Sequence, residues 1–520
     1  MTKRPNFLFF MTDQHRSDWL GCYGHPVVRT PNIDAIASKG TLFEQFFVAT
    51  PVCMPNRASF LTGRYPSLHG LRYNGCVLSA SANTFVDVLR AGGYKTASIG
   101  KSHLQPITNM EPMEPSTFET GDIAEAWKSD NNSYRNEAPD QFGTEGRFAI
   151  ETPYYGFDHV DLVTGHGLKA GGHYMQWLRE QTSDWKQFLD PKNQQPHNYG
   201  LAQACRTIMP EELYHTSYIR EQAKNNIREN AQSDEPFFSF VSFPDPHHPF
   251  NPPGKYWDMY SPDQFELGPR YEDHKNPPLP LKAAKALFEK GERPPLIFFE
   301  AMEEEQHIKE AMALTAGMIS MIDDAVGEVI ETLKESGQYD NTVIIFNTDH
   351  GDYLGDFDLL YKGAWPKRSI TQVPCIWSDP KARKEHRSGA LASTIDLSAS
   401  IIERAGLKPY FGIQGKSLLQ NLSGSNELRE SLLIEYNDSI TLSGFDTPAR
   451  VRTLLTYEWH LTLYGGENWG ELYNRKTDPD ELNNLWDSSE YRDTKYELIE
   501  ELSHHLIAQM DESPKATLMA

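Results

Sequence analysis

The chain has 520 residues, 39% of them hydrophobic and 12% aromatic, and a formal net charge of −23 at pH 7. It is longer than the roughly 250–300 residues at which one core stops growing, so two domains and a large globular core are expected. The acidic balance argues against nucleic acid or an anionic membrane as partner, and no run approaches the ~18 apolar residues of a membrane span.

The first predicted element is a short apolar run, Asn6–Thr12, read as a buried strand. The basic residues Lys3 and Arg4 before it suggest a signal peptide, but the run is short and no small-residue cleavage site follows. Further strands are predicted at Tyr94–Gly100, Pro236–Phe243, Thr342–Thr348 and Val373–Ser378, and helices at Thr30–Lys39, Thr84–Ala91 and Glu300–Ser336. Strands alternating with helices predict an α/β protein with a mostly parallel sheet covered on both faces. Residues 105–232 are polar and irregular, and residues 244–296 are rich in proline. Both join core elements and are expected as insertions around a site. An amphipathic Tyr496–Met510 helix near the end could pack on its own domain or on a second copy, so a homo-oligomer is possible.

Five cysteines (Cys22, Cys53, Cys76, Cys205 and Cys375) are scattered without paired metal spacing. They read as free thiols of a reducing compartment, which predicts a cytoplasmic protein.

Ligands of open α/β sheets bind beyond the carboxyl ends of the strands. The predicted strands run into Asp13-Gln14, Lys101-Ser102-His103, Asp245-Pro246-His247-His248-Pro249 and Asp349-His350-Gly351-Asp352. Any one of these has a structural explanation, such as a helix cap or a solvated lysine; four together mark a site. Asp13, Asp349, His350 and the side-chain oxygen of Gln14 make a set of hard oxygens with one imidazole. Such a set suits one divalent ion, Ca²⁺ or Mn²⁺, better than zinc.

The most specific stretch is Cys53-Met54-Pro55-Asn56-Arg57, continued by Ala58-Ser59-Phe60-Leu61-Thr62-Gly63-Arg64. An isolated cysteine is usually buried and inert. A cysteine phosphatase would need five residues between cysteine and arginine, where this chain has three, Met54 to Asn56. The whole pattern resembles the maturation signature of type I sulfatases. Similar to that family too are Asn6–Arg16, Tyr23-Gly24, Thr30–Asp34, Gly100–Leu104, Pro246–Phe250, Asp349–Asp356, Lys362 and Gly470–Asn474 with Asp478-Pro479 and Asn484-Leu485. The resemblance covers most of residues 5–104, 236–253, 300–408 and 450–486.

The resemblance implies an alkaline phosphatase-like α/β/α sandwich over residues 1–410 and a smaller C-terminal α+β domain over residues 411–520. It implies a sulfuric ester hydrolase acting on a small anionic ester, with Cys53 converted by a formylglycine-generating maturation enzyme. The hydrated aldehyde would be the nucleophile and would join Asp13, Gln14, Asp349 and His350 on the metal. Arg57 would hold the nucleophile and offset charge near the metal, and Lys101 and Lys362 would bind sulfate oxygens. His247 would protonate the leaving alcohol and His103 would accept the proton that releases sulfate. Asn74 would lie near the sulfate. His247 is preferred to His248 because it follows Pro246, and His166 and His173 are expected at the surface, outside the site. Gln14 departs from the two adjacent aspartates of many sulfatases and occurs in relatives resembling choline sulfatases and phosphonate monoester hydrolases. Two alternatives therefore stand: a phosphonate monoester or phosphodiester hydrolase with the same nucleophile, and a non-catalytic binder of sulfated ligands.

Overall fold

The computed structural model describes residues 3–519 other than 113–121, 124, 129, 131, 144–145, 295–300 and 443. Its centre is a nine-stranded sheet built from β1 (Asn6–Thr12), β2 (Thr41–Phe43), β3 (Lys95–Gly100), β4 (His159–Thr164), β5 (Gly171–Gly172), β6 (Phe237–Ser242), β7 (Thr342–Thr348), β8 (Cys375–Ser378) and β9 (His386–Ser388). The spatial order is β9-β2-β8-β7-β1-β6-β3-β4-β5. The middle five, β7-β1-β6-β3-β4, are parallel, while β8 pairs antiparallel with both β7 and β2.

β1 shows why the sheet has two covered faces. Its side chains alternate, so Leu8 and Phe10 enter one core and Phe7, Phe9 and Met11 the other. The long helix Glu305–Glu335 fills the first face with Met312, Leu314, Met318 and Ile322. The helices Cys53–Thr62 and Thr394–Arg404 fill the second with Met54, Ala58, Phe60, Leu397 and Ile401. The expected start of the long helix at Glu300 lies outside the described residues.

Residues 105–232 are less irregular than expected. They contribute β4 to the parallel sheet, and the helix His215–Asn230 packs on its first face through Tyr218, Ile219, Ala223 and Ile227. The apolar signal in Val160-Asp161-Leu162-Val163 was short and broken by one aspartate, which hid the strand.

The C-terminal part is a four-stranded antiparallel sheet, β10 (Ser431–Asn437), β11 (Arg450–Thr456), β12 (Trp459–Tyr464) and β13 (Gly470–Asn474). Leu498 and Leu502 of the helix Arg492–Ala508 cover one face with Leu433, Leu454, Leu461 and Leu472. The other face meets the larger domain: Tyr436, Val451 and Tyr464 pack with Val52 and Ala364, and Trp365 Nε1 donates to Glu471 Oε2 at 2.7 Å. This sheet thus buttresses the residue before Cys53 and the loop that carries Lys362. Among the described residues, no helix is long and apolar enough to cross a membrane.

Candidate active site

All five parallel strands deliver side chains to one place at their carboxyl ends. β1 leads to Asp13 and Gln14, β3 to Lys101 and His103, β4 to His166, β6 to His247 and His248, and β7 to Asp349 and His350. Parallel pairing makes this unavoidable, because neighbouring strands end on the same edge. Backbone bonds lock the ends together, with Asp13 N donating to Asp245 O at 3.2 Å, His15 N to His350 O at 2.8 Å and Lys101 N to Ser242 O at 2.9 Å. Gly100, at φ 106°, must lack a side chain, since a Cβ there would stand 1.9 Å from Ser242 O. Gln14 (φ 59°) and His103 (φ 61°) hold left-handed backbones that non-glycine residues rarely adopt, a strain found where a site dictates geometry.

Cys53 opens a ten-residue helix whose N-cap is Val52 and whose C-cap, Gly63, is left-handed at φ 62°. The thiol is buried at the positive end of that helix, where anionic character is favoured. Burial pushes the Cys53 thiol up, but Lys101, His350 and Lys362 outweigh it and hold it below its ordinary value. Asn74 Nδ2 lies 3.5 Å from the sulfur and its Oδ1 accepts from Met54 N at 3.3 Å.

Arg57, one turn along the same helix, is buried and fully engaged. Its Nε donates to Asp349 Oδ2 at 2.7 Å, Nη2 reaches Asp13 Oδ2 at 3.3 Å, and Nη1 donates to Lys101 O at 2.9 Å and Ser242 Oγ at 2.8 Å. It therefore neutralises and orients the two aspartates. Burial would raise the Asp13 carboxyl, but Lys101, His166, His247 and Arg57 keep it well below the usual range.

Asp13, Asp349 and His350 each offer a ligand atom, and these atoms lie within 4.8 Å of one another. His350 Nδ1 stands 2.8 Å from Gly351 O, so it carries the proton and Nε2 keeps its lone pair. That Nε2 and Asp13 Oδ1 are buried and have no hydrogen-bond partner among the described residues. Two lone pairs left bare in a buried cluster fit a cation, because unpaired they would cost free energy. Gln14 is at the same edge but its carboxamide is turned elsewhere: Oε1 accepts from Lys362 Nζ at 2.6 Å, and Nε2 meets Asp352 Oδ2 and, at 3.1 Å, His248 Nδ1. Only its backbone N touches the cluster, donating to Asp349 Oδ1 at 3.1 Å.

Lys101 Nζ binds Asp13 Oδ2 and lies 2.6 Å from His166 Nε2. Lys362 Nζ lies 3.0 Å from His247 Nε2, while His247 Nδ1 meets His248 O at 2.6 Å. His247 thus turns Nε2 inward, toward Lys362, whereas the ring of His248 faces Gln14 and packs on Tyr361, with centroids 4.2 Å apart. Burial, then His166 and Lys362, hold the His247 imidazole well below its ordinary value. His103 has its backbone N on Glu137 Oε2 at 2.9 Å, and its Nδ1 is buried without a partner among the described residues.

The sequence reading placed His166 at the surface, and the structure overturns this. Its side chain is 14% exposed, and its ring stacks on that of His247 with centroids 3.7 Å apart. His173 is also buried, but it serves structure, accepting from Leu162 N at 2.9 Å and facing Phe148 O at 2.8 Å. Glu137 was missed as well; its carboxylate gathers the backbone N–H groups of His103, Leu104 and Gln105.

Known proteins share this architecture. Residues 5–407 match the family model described as Sulfatase, and residues 357–508 match one described as N-sulphoglucosamine sulphohydrolase, C-terminal. The chain is 26% identical to the sulfatase YidJ of Escherichia coli, over 97% of this chain and 87% of that protein. It is also 26% identical to an arylsulfatase of Clostridium perfringens, over 94% of this chain and 92% of the relative. In three dimensions it is similar to a phosphonate monoester hydrolase of Agrobacterium radiobacter, with a TM-score of 0.76 at 23% identity, covering 99% of this chain and 98% of that one.

Proposed function

The chain belongs to the sulfatase family and is a sulfuric ester hydrolase, and from that premise we propose that Cys53, converted to formylglycine, is its nucleophilic position and a sulfate monoester its substrate. The observation that carries this reading is the setting of Cys53. Its thiol sits at a helix N-terminus under the influence of Lys101 and Lys362, beside the bare lone pairs of Asp13 and His350.

A divalent cation held by Asp13, Asp349, His350 and position 53 would lower the pKa of an oxygen nucleophile there, whereas the Gln14 oxygen is taken by Lys362 Nζ. Formylglycine would supply that oxygen, together with a second one through which sulfate can be expelled, which a thiol lacks. Lys101 and Lys362 bind the equatorial oxygens of the sulfate and balance its charge as the S–O bond breaks. His247 would pass a proton to the leaving alcohol from Nε2, which accepts from Lys362 Nζ, while the Nδ1–H donated to His248 O orients the ring. His103 Nδ1 accepts the proton that accompanies sulfate release. Arg57 keeps both aspartates ionised and aimed. Asn74, at the rim beside Cys53, meets the sulfate from outside.

The conversion requires a maturation enzyme as partner. The four cysteines besides Cys53, namely Cys22, Cys76, Cys205 and Cys375, are free thiols, which supports a reducing compartment and a cytoplasmic location. The boundary we propose between the two domains lies near residue 410, ahead of β10.

A second reading, hydrolysis of phosphonate monoesters by the same residues, is favoured by Gln14 and by the likeness in fold. Against it stand Lys101 and His103, both in the site. Two measurements test the proposal. The tryptic peptide from Gly40 to Arg57 should be lighter than its sequence by the difference between CH₂SH and CHO, and reactive with hydrazine. The metal-loaded protein should hydrolyse an aryl sulfate faster than the matching aryl phosphonate; the reverse order would establish the second reading, and unmodified cysteine in active protein would overturn the nucleophile.

A further inference from the structure

We propose that His166 is a positioning residue for this hydrolysis, holding the Lys101 ammonium and the His247 ring in the places from which they meet the ester. The proposal rests on the sulfatase reading and adds a residue that the reading does not require.

His166 follows the end of β4 across Gly165, whose φ of 69° turns the chain back toward the site. Its Nε2 is 2.6 Å from Lys101 Nζ. An ammonium has no acceptor, so Lys101 donates and His166 accepts, which places the imidazole proton on Nδ1. The only other side-chain partner of that ammonium among the described residues is Asp13. Asp13 is also a candidate metal ligand. Whatever share of its carboxylate is drawn to a cation, His166 remains as the anchor that keeps Lys101 directed at the sulfate.

The same ring lies face to face with His247, at 3.7 Å between centroids and an interplanar angle of 8°. His247 is gripped at both nitrogens, by His248 O and Lys362 Nζ, and the His248 ring packs against it at 30° with centroids 4.1 Å apart, a tilted contact that fixes its tilt less firmly than a parallel one. The closer, parallel face of His166 holds the ring in one plane. Asp13, His166 and His247 also group closely enough to suggest a second cation site. Lys101 Nζ already stands between Asp13 and His166, so the cation of that site is the lysine itself.

Three substitutions separate the two contacts. His166→Gln keeps an acceptor without the ring, His166→Phe keeps the ring without the acceptor, and His166→Ala has neither. Each is assayed as metal-loaded protein on aryl sulfates whose phenols span a range of pKa, with thermal melts to confirm folding. Loss of the Lys101 anchor weakens sulfate binding whatever the leaving group. H166F is therefore expected to lose kcat/KM by a similar factor across the series, about ten- to a hundredfold, the worth of one hydrogen bond to a charged group. Loss of the ring support misplaces the His247 nitrogen that would pass the proton, which matters most for poor leaving groups. H166Q is therefore expected to stay near wild type on the most acidic phenols and to fall away on the least acidic ones, with a steeper leaving-group dependence. H166A should show both effects; if it fails to fold, the other two decide.

Wild-type rates and slope in H166A, or one uniform loss shared by H166Q and H166F, would overturn the proposal while leaving the sulfatase reading intact. Metal-loaded, formylglycine-bearing wild type that turns over no aryl sulfate would overturn both.

Discussion

His350 Nε2 stands 3.7 Å from Asp13 Oδ1, and neither atom has a hydrogen-bond partner among the described residues. The other ring nitrogen of His350 is committed to Gly351 O, so the imidazole cannot relieve the contact by changing tautomer. A divalent ion between them would resolve it. Titrating metal-free protein with Mn²⁺ and with Ca²⁺ should reveal one tight site. Asp13→Asn and His350→Ala should each weaken it by more than the roughly 10–100-fold that follows from losing an outer hydrogen bond. Saturating metal should raise the melting temperature, in line with ~4 kcal/mol at a thousand times Kd. Wild-type affinity in His350→Ala would remove this histidine from the site.

Arg57 is predicted to be a stability residue as much as a catalytic one. Both its acidic partners are buried, with side-chain exposures of 2% for Arg57 and 0% for Asp13 and Asp349. Removing one member of such a cluster strands the others, at about 3–5 kcal/mol. Arg57→Ala should lower the urea midpoint accordingly in metal-free protein, and Arg57→Lys should lie between, since it restores the charge but not the four-way fork. Equal midpoints for wild type and Arg57→Ala would show that the aspartates are compensated elsewhere.

Cys53→Ser should bind metal with little change yet show no turnover. A hydroxyl at position 53 can accept the sulfuryl group but has no second oxygen to release it. A trapped sulfate ester on that serine, seen as a mass increase after incubation with substrate, is the expected signature. Full turnover by this variant would refute the role of formylglycine, provided mass spectrometry shows serine still present.

Acid should destabilise the fold from pH 6.5 downward. Burial, then Arg64, hold His69 down to about 3, and burial, then Arg147, hold His173 down to about 4. Both accept a backbone N–H at Nδ1, from Leu71 at 3.2 Å and from Leu162 at 2.9 Å, so protonation breaks a native bond. In that window the unfolded chain binds more protons than the folded one, so stability is fully present above pH 6.5 and is lost as pH falls. Each such histidine contributes a slope of up to ~1.4 kcal/mol per pH unit. Urea midpoints measured from pH 7 to 5 should fall, and His69→Gln should flatten the curve; a midpoint that rises on acidification would contradict it.

How far the site was legible depends on which side chains its neighbours orient. Asp13, Lys101, Asp349 and His350 follow directly on β1, β3 and β7, whose apolar runs are unmistakable. A buried parallel strand must end at the ligand-binding edge, so these four could be placed from the pattern alone. His166 could not. Its strand is broken by Asp161, whose charge is matched by Arg147 and His159, and nothing in the local pattern says which strand it joins. The signal was present in Val160–Thr164 followed by Gly165, but it acquires meaning only through the pairing of Gly100 with Leu162.

The sequence by itself determined the chemistry. The Cys53–Gly63 pattern, the acidic and imidazole residues at strand ends and the alternation of strand with helix are local properties, set by residue type and short spacing. Only the tertiary structure decided which groups touch. Gln14 turns its carbonyl to Lys362 because Asp352 and His248 take its amide nitrogen, and His166 enters the site because β4 lies beside β3. Those choices depend on which of several possible partners lies within about 3 Å, and hydrogen bonding falls away over a few tenths of an ångström. Distances between residues far apart in the chain are set by the packed sheet, and no short window of residues contains them.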